Sequence, residues 1–320
     1  MTAYLLRRSA FLLVSFLIAM VAIFVLLRLL PGDPSNALLS VTATPEQIAA
    51  AQAQVGADRP VFEQFVTWFG QLLSFNLGES FISSLPVGPE ISARLVVTVP
   101  LTLIAFALAL ALSLVAGFVS AIKSDRWYGV LISGFSQLGV AVPVFWVGIL
   151  LVSLFAVGLR WLPSSGFPRD DWADPADALR SLTLPVITVA LVMSASLTRY
   201  VRSATLDVMG SDYLRSARAQ GSGYTEALWR HGLRNGAVPV ISILGIELAT
   251  TFLGAVVVES VFGLPGLGSM LLRGIQQHDY PNIQGVLSIS TLVVLVIGFL
   301  GDIAQRLVDP RLRLSISGNR

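Results

Sequence analysis

Long apolar runs separated by polar intervals dominate the chain. A membrane-spanning helix needs about 20 mostly apolar residues to cross a hydrocarbon core about 30 Å thick. Six stretches meet that length: Ala10–Leu27, Val96–Ile122, Tyr128–Val157, Leu184–Val201, Ala237–Val258 and Gly285–Ile303. The third carries Pro143, where a missing N–H kinks a helix. That kink reads either as a gating hinge or as the curvature of a long helix around its partner. The fourth is the least apolar, because Thr188, Ser194, Ser196 and Thr198 interrupt it. A span so polar belongs against other helices or an aqueous path. Residues 31–95 contain Pro, Gly and an amphipathic stretch around Val61–Leu73, too much for a loop and too little for an enzyme domain. Arg7-Arg8 before Phe11-Leu12 has the look of a twin-arginine signal. Arg28-Leu29-Leu30-Pro31 then follows in place of a small-residue cleavage site, so an uncleaved anchor is expected.

Composition agrees with an all-α polytopic membrane protein of six transmembrane helices. Of 320 residues, 54% are hydrophobic and 12% charged, with a mean hydropathy of +0.76. Soluble domains carry about 25% charged residues, so a cytosolic enzyme, a disordered scaffold and a nucleic-acid binder are excluded as first readings. Placing the N-terminus inside collects 14 of the 21 Lys and Arg residues on that side, and Asp170, Asp171, Asp174 and Asp177 outside. This positive-inside bias puts both termini in the cytoplasm.

Candidate chemistry is sparse. There is no Cys, hence no disulfide, thiolate or iron–sulfur site, and two His residues are too few for a His-rich metal centre. The single lysine, Lys123, lacks the glycines of a phosphate-binding loop, so the chain cannot hydrolyse ATP by that route. An intramembrane protease fails as well: Ser222 falls on the cytoplasmic side and His278 on the other, so no nucleophile–base pair can meet. No catalytic and no metal-ligating residue is assigned. Glu247 and Glu259 in the fifth span, and Asp302 in the sixth, are costly in hydrocarbon and must face protein or water. Each reads as a cavity lining or gate element, or as a structural hydrogen bond between helices. Twelve residues separate the two glutamates, about 18 Å along a helix, too far for a carboxylate dyad. The Gly263–Gly268 run lacks Lys and reads as a tight re-entrant turn over the pathway.

The longest inner segment, residues 203–235, predicts two short helices. Asp212 opens the first, through Tyr213-Leu214-Arg215-Ser216-Ala217-Arg218-Ala219-Gln220, and Gly221 stops it. The second begins near Ser222–Thr225, with Glu226 in its first turn. Spacing alone leaves a solvated hairpin, a surface for anionic lipid and a protein-docking element all open.

That segment, followed by Arg230-His231-Gly232-Leu233-Arg234-Asn235-Gly236-Ala237-Val238-Pro239-Val240, resembles the coupling segment of binding-protein-dependent ABC importer permeases, within the dipeptide/oligopeptide class. The wider pattern is Glu-Ala-Ala, three residues, Gly, nine residues, Ile-x-Leu-Pro. Ala217, Gly221 and Leu233 match it; Arg215-Ser216, His231 and Arg234 depart from it in ways typical of the peptide class. Arg28-Leu29-Leu30-Pro31-Gly32-Asp33-Pro34 resembles the mark of the first permease subunit, the DppB/OppB type. Pro143-Val144-Phe145-Trp146-Val147-Gly148, Glu259 through Gly268, Asp279-Tyr280-Pro281 and Asp309-Pro310-Arg311 are similar to that class too.

The resemblance implies the type I ABC-importer transmembrane fold in the inner (cytoplasmic) membrane. It divides the chain into an anchor and extracytoplasmic segment (residues 1–95), a five-span core (96–308) with the coupling segment 203–235, and a tail (309–320). It also implies a second homologous permease, two ATPase subunits or a fused equivalent, and an extracytoplasmic solute-binding protein, all amid membrane lipid and without nucleic acid. ATP and Mg would be bound by the ATPases, with no cofactor in this chain. Arg215, Ser216, Ala217, Arg218, Gly221, Ser222 and Leu233 become the coupling residues. Glu247, Glu259, Pro143, Phe262, Pro265 and Gly266 are the pathway or gate candidates. Dipeptides, longer peptides, glutathione or metal chelates are possible cargoes. A proton-coupled carrier using Glu247, Glu259 or Asp302 is the competing class.

Overall fold

Helix is the regular structure among the described residues, apart from one isolated bridge between Glu79 and Pro86. The computed structural model describes residues 2–29, 59–221 and 232–308, with 46, 223 and 226 as single positions; the side chains of 2, 3, 218 and 233–235 lie outside that description. So do residues 30–34 of the first motif, Ser222 and the start of the expected second short helix, His231, and residues 309–320. In chain order the helices are α1 (Thr2–Leu29), α2 (Val61–Leu73), α3 (Val87–Ile122), α4 (Trp127–Ala141), α5 (Val144–Leu151), α6 (Pro175–Met209), α7 (Asp212–Ala219), α8 (Leu233–Val261), α9 (Leu267–Gln277) and α10 (Tyr280–Val308).

Five of these are long and apolar enough to cross a membrane, and the α4–α5 pair makes a sixth if it counts as one span. All six expected stretches are therefore helical, but several helices outrun them. α6 starts at Pro175, nine positions before its expected span, because Asp174 caps it. One Asp174 oxygen accepts from the N–H of Ala176 at 2.9 Å and of Asp177 at 3.3 Å, while Pro175 supplies a pre-set φ. α3 likewise starts at Val87 and runs through the expected boundary between residues 95 and 96.

The third span is not the single kinked helix that its apolar length predicts. It breaks into α4 and a second helix, Val144–Gly158, bent by 107°; the last seven residues, Val152–Gly158, form a π-helix. The cause is local. Val142 precedes a proline and is pushed to extended geometry (φ −88°, ψ 125°), and Pro143 itself is extended (φ −61°, ψ 137°) before α5 begins.

The chain divides into two compact units. The first is Met1–Val99 with Gly263–Val296. Here α2 lies against α1 as expected of an amphipathic stretch: Phe24 meets Phe65 edge-on at 5.3 Å and stacks on Trp68 at 5.8 Å, with the Arg28 guanidinium 4.7 Å from the Phe24 ring and bonded to Gln64. Leu27, Tyr280 and Ile283 form a buried cluster between α1 and α10. The second unit is Pro100–Phe262 with Ile297–Arg320. Its centre is α6, packed against α4, α5 and α8. Of α6's most apolar 18-residue window 67% is buried, against 17–33% in the other four spanning helices, although α6 is the least apolar of them. The polar fourth span is thus the internal one. Small residues let its neighbours close in: a Cβ on Gly139 of α4 would sit 2.6 Å from the Ala195 Cβ, and one on Gly117 of α3 would sit 2.6 Å from the Val201 Cβ.

Candidate functional site

The C-terminal end of α6 turns at Gly210 and leads directly into α7, which has eight residues. Its two buried positions share one side, while Tyr213 and Ala219 are exposed. Leu214 and Ala217 join Val208 in a buried cluster packed on Phe118 and Ile122 at the end of α3. The opposite side is charged and open, with Arg215 and Asp212 paired at 3.4 Å and both well exposed. The Ser216 hydroxyl donates to the Asp212 carbonyl at 3.0 Å, so it serves its own helix. Arg218 belongs to α7, its side chain lying outside the description, and Leu233 opens α8 in the same state.

Gly221 has φ +95°, a conformation that side-chain-bearing residues rarely adopt, and a Cβ there would meet nothing within 4 Å among the described residues. Its requirement for glycine is conformational. The geometry is a short two-faced helix clamped to two membrane helices by its apolar side, presenting its polar side outward.

At membrane depth, Glu247 of α8 is half-buried and accepts a hydrogen bond from the Ser196 hydroxyl of α6 at 2.9 Å. One turn on, the Thr251 hydroxyl closes on the Glu247 carbonyl at 2.6 Å. Glu259 is fully buried and already engaged within the protein. Asp302 of α10 is half-buried and also engaged.

One gate candidate, Phe262, is met by the helix that another, Pro143, begins, through Gly148. Pro143 starts α5, and α5 places Gly148 against Phe262, where an added Cβ would lie 3.2 Å from the buried ring and 3.4 Å from Thr188. The Phe262 carbonyl accepts from the Gly166 N–H at 2.9 Å. Pro265 and Gly266 belong to the other unit. There Gly263 takes a positive φ of 58°, Gly266 caps α9, and the Leu267 N–H donates to the Thr98 hydroxyl at 3.0 Å. The Gly263–Gly268 run is a turn into a helix. His278 is exposed at the left-handed C-cap of α9.

Two features go beyond what the sequence yields at Ser196 and at the Asp279-Tyr280-Pro281 motif. Ser196, Tyr200, Ser203 and Asp207 form a line along α6, partly to fully open, with Arg199 beside it. Their spacing of four, three and four is one helix face, and that periodicity of polar positions was the available signal. The second is a buried carboxylate, Asp279, which accepts from the Ser80 hydroxyl at 2.5 Å, the Phe81 N–H at 3.1 Å and the Asn282 amide at 2.7 Å. Partners 199 positions apart leave no sequence signal.

Such a membrane-embedded helical bundle, with a two-faced helix projecting from the ends of its spans, is the class of transport permeases. The chain belongs to the family of binding-protein-dependent transport system inner membrane components: that family matches residues 113–314, and its N-terminal membrane component matches residues 1–102. It is 38% identical over 314 residues to a putative peptide transport system permease protein of Brucella abortus (strain 2308), covering 98% of this chain and 99% of that one. It is 34% identical to the di/tripeptide transport system permease protein DppB of Pseudomonas aeruginosa (strain UCBPP-PA14), at 98% and 99% coverage. It is 32% identical to the glutathione transport system permease protein GsiC of Escherichia coli O6:H1, again at 98% and 99%. The chain is a multi-pass permease component of the cell's inner membrane, in a system that depends on a solute-binding protein. Nothing in these matches supports the proton-coupled carrier.

Proposed function

We propose that the chain forms half of the translocation pathway of an ATP-driven importer of short peptides. It would pair with a second homologous permease, sit above two ATPase subunits that bind ATP and Mg, and receive cargo from an extracytoplasmic binding protein. Both termini lie in the cytoplasm, as the arginine distribution favours. The observation that carries the coupling role is α7: its apolar face is committed to the ends of α3 and α6, leaving Arg215 and Asp212 to meet an outside partner. Force applied to that face reaches α6 directly. Ser222, Arg218 and Leu233 complete the coupling segment in this reading.

The names of the relatives support a peptide cargo, with glutathione, itself a tripeptide, as the second reading. The test is uptake by proteoliposomes holding both permeases and the two ATPase subunits, with the binding protein supplied. ATP-dependent accumulation of a labelled dipeptide, with none from a proton gradient alone, is the expected result. Gradient-driven uptake without nucleotide would sink the proposal, and a binding protein that retains glutathione but no dipeptide would move the cargo to the second reading.

A further inference from the structure

We propose that Arg199 and Arg202 of α6, together with Glu247 of α8, form a membrane-embedded subsite for a di- or tripeptide in transit. The guanidinium groups take its C-terminal carboxylate and Glu247 takes its ammonium group. The subsite rests on the peptide-importer reading.

Depth is the first argument. Val208 packs beside Ile122 where α3 ends, which marks the inner limit of the apolar bundle. Arg202 and Arg199 lie about 9 and 13 Å farther along α6, inside it. Both side chains are half-buried, and the Nε–H of each is shut away from solvent with no acceptor among the described residues. Neither has an acidic partner among those residues. Two cations held this way at membrane depth offer donors that an anionic oxygen from elsewhere would satisfy.

The surroundings say what brings it. The open line beside Arg199 is Ser196, Tyr200, Ser203 and Asp207, whereas the lipid-type face of α1 exposes Leu13, Val14, Leu17 and Val21. A face this polar lines a wet passage and repels acyl chains. The Arg199 guanidinium leans over the Tyr200 ring at 5.8 Å, toward that open line. Both signs of charge are present on it, because Ser196 holds the Glu247 carboxylate at 2.9 Å. From Ser196, Arg199 lies about 4.5 Å along the axis and about 60° around it, on the flank of that line. Arg202 lies about 9 Å along and about 120° around, so its long side chain must reach back across the helix to join the site. An extended dipeptide spans about 7 Å and a tripeptide about 10 Å, so their two termini fit that interval.

The test uses the whole complex in proteoliposomes, with binding protein preloaded to saturation with alanyl-alanine or its C-terminal amide. The wild-type complex should import the free acid about ten- to a hundredfold faster than the amide, the range that a charge-assisted hydrogen bond confers. Arg199→Gln and Arg202→Gln should slow the free acid alone and bring the ratio toward one, with Arg199→Lys intermediate. An unchanged ratio in both Gln variants would overturn the subsite. Loss of co-purification with the second permease would instead assign the arginines to the subunit interface. A defect that appears in phosphatidylglycerol vesicles and vanishes in phosphatidylcholine would assign them to lipid headgroups. Wild-type uptake of both peptides at one rate removes the subsite and leaves the importer; no ATP-driven peptide uptake at all removes both.

Discussion

The Ser80 hydroxyl donates to the Asp279 carboxylate at 2.5 Å, joining the loop before α3 to the corner between α9 and α10. Ser80 also accepts from the N–H groups of Ile82 and Ser83, so one buried pair organises the whole turn. Replacing Asp279 with Ala strands the Ser80 hydroxyl and the Phe81 N–H, a loss of about 1.5–3 kcal/mol. Thermal unfolding of the detergent-solubilised complex should fall accordingly, and proteolysis between Phe81 and Leu85 should accelerate. Unchanged melting and cleavage would mean the pair holds nothing.

Gly221→Asp should leave membrane insertion and assembly intact and abolish ATP hydrolysis stimulated by loaded binding protein. A Cβ at Gly221 meets none of the described residues within 4 Å, so the expected penalty is backbone strain at φ +95°, about 1–2 kcal/mol, expressed as a displaced turn. A variant absent from the membrane would make Gly221 a folding turn. One that transports normally would place the coupling contact elsewhere in residues 203–235.

Gly139 and Gly134 share α4 but differ in surroundings: a Cβ on the first would collide with Ala195, and one on the second meets nothing within 4 Å. Gly139→Ala should therefore destabilise by about 1–3 kcal/mol through overpacking. Gly134→Ala should be neutral or stabilising by up to about 1 kcal/mol from helix propensity. Equal melting temperatures for the two variants would refute the close α4–α6 seat.

Because the chain contains no cysteine, single-cysteine labelling reports sidedness without background. Asp170→Cys should react with an impermeant maleimide in intact spheroplasts, and Lys123→Cys only after permeabilisation. Labelling of both from one side would make the α4–α5 pair a re-entrant loop and reduce the spans to five.

The positions of the spans were legible because apolar length is a local property of sequence, and α2 kept its expected limits for the same reason. Gly221 was legible too, as a glycine closing a short helix. The size of the break at Pro143 was not: proline announces a lost hydrogen bond, but two consecutive extended residues, Val142 and Pro143, turn a kink into a 107° bend. Helix ends were misplaced where caps such as Asp174 extend them beyond the apolar run. Ala217, grouped in the sequence with the coupling residues, is turned inward in the structure, packed against Phe118 and Ile122. The arginine pair on α6 had been counted only as positive charge, since burial of its Nε atoms is a property of the packed bundle.

The glycine seats at Ala195 and Val201 divide α6 unequally. About 12–21 Å of helix lies between them and Met209, and about 30–39 Å between them and Pro175. Treated as a fulcrum, they make α6 a lever whose short arm ends at α7. A small stroke at that end sweeps roughly twice as far at the opposite one.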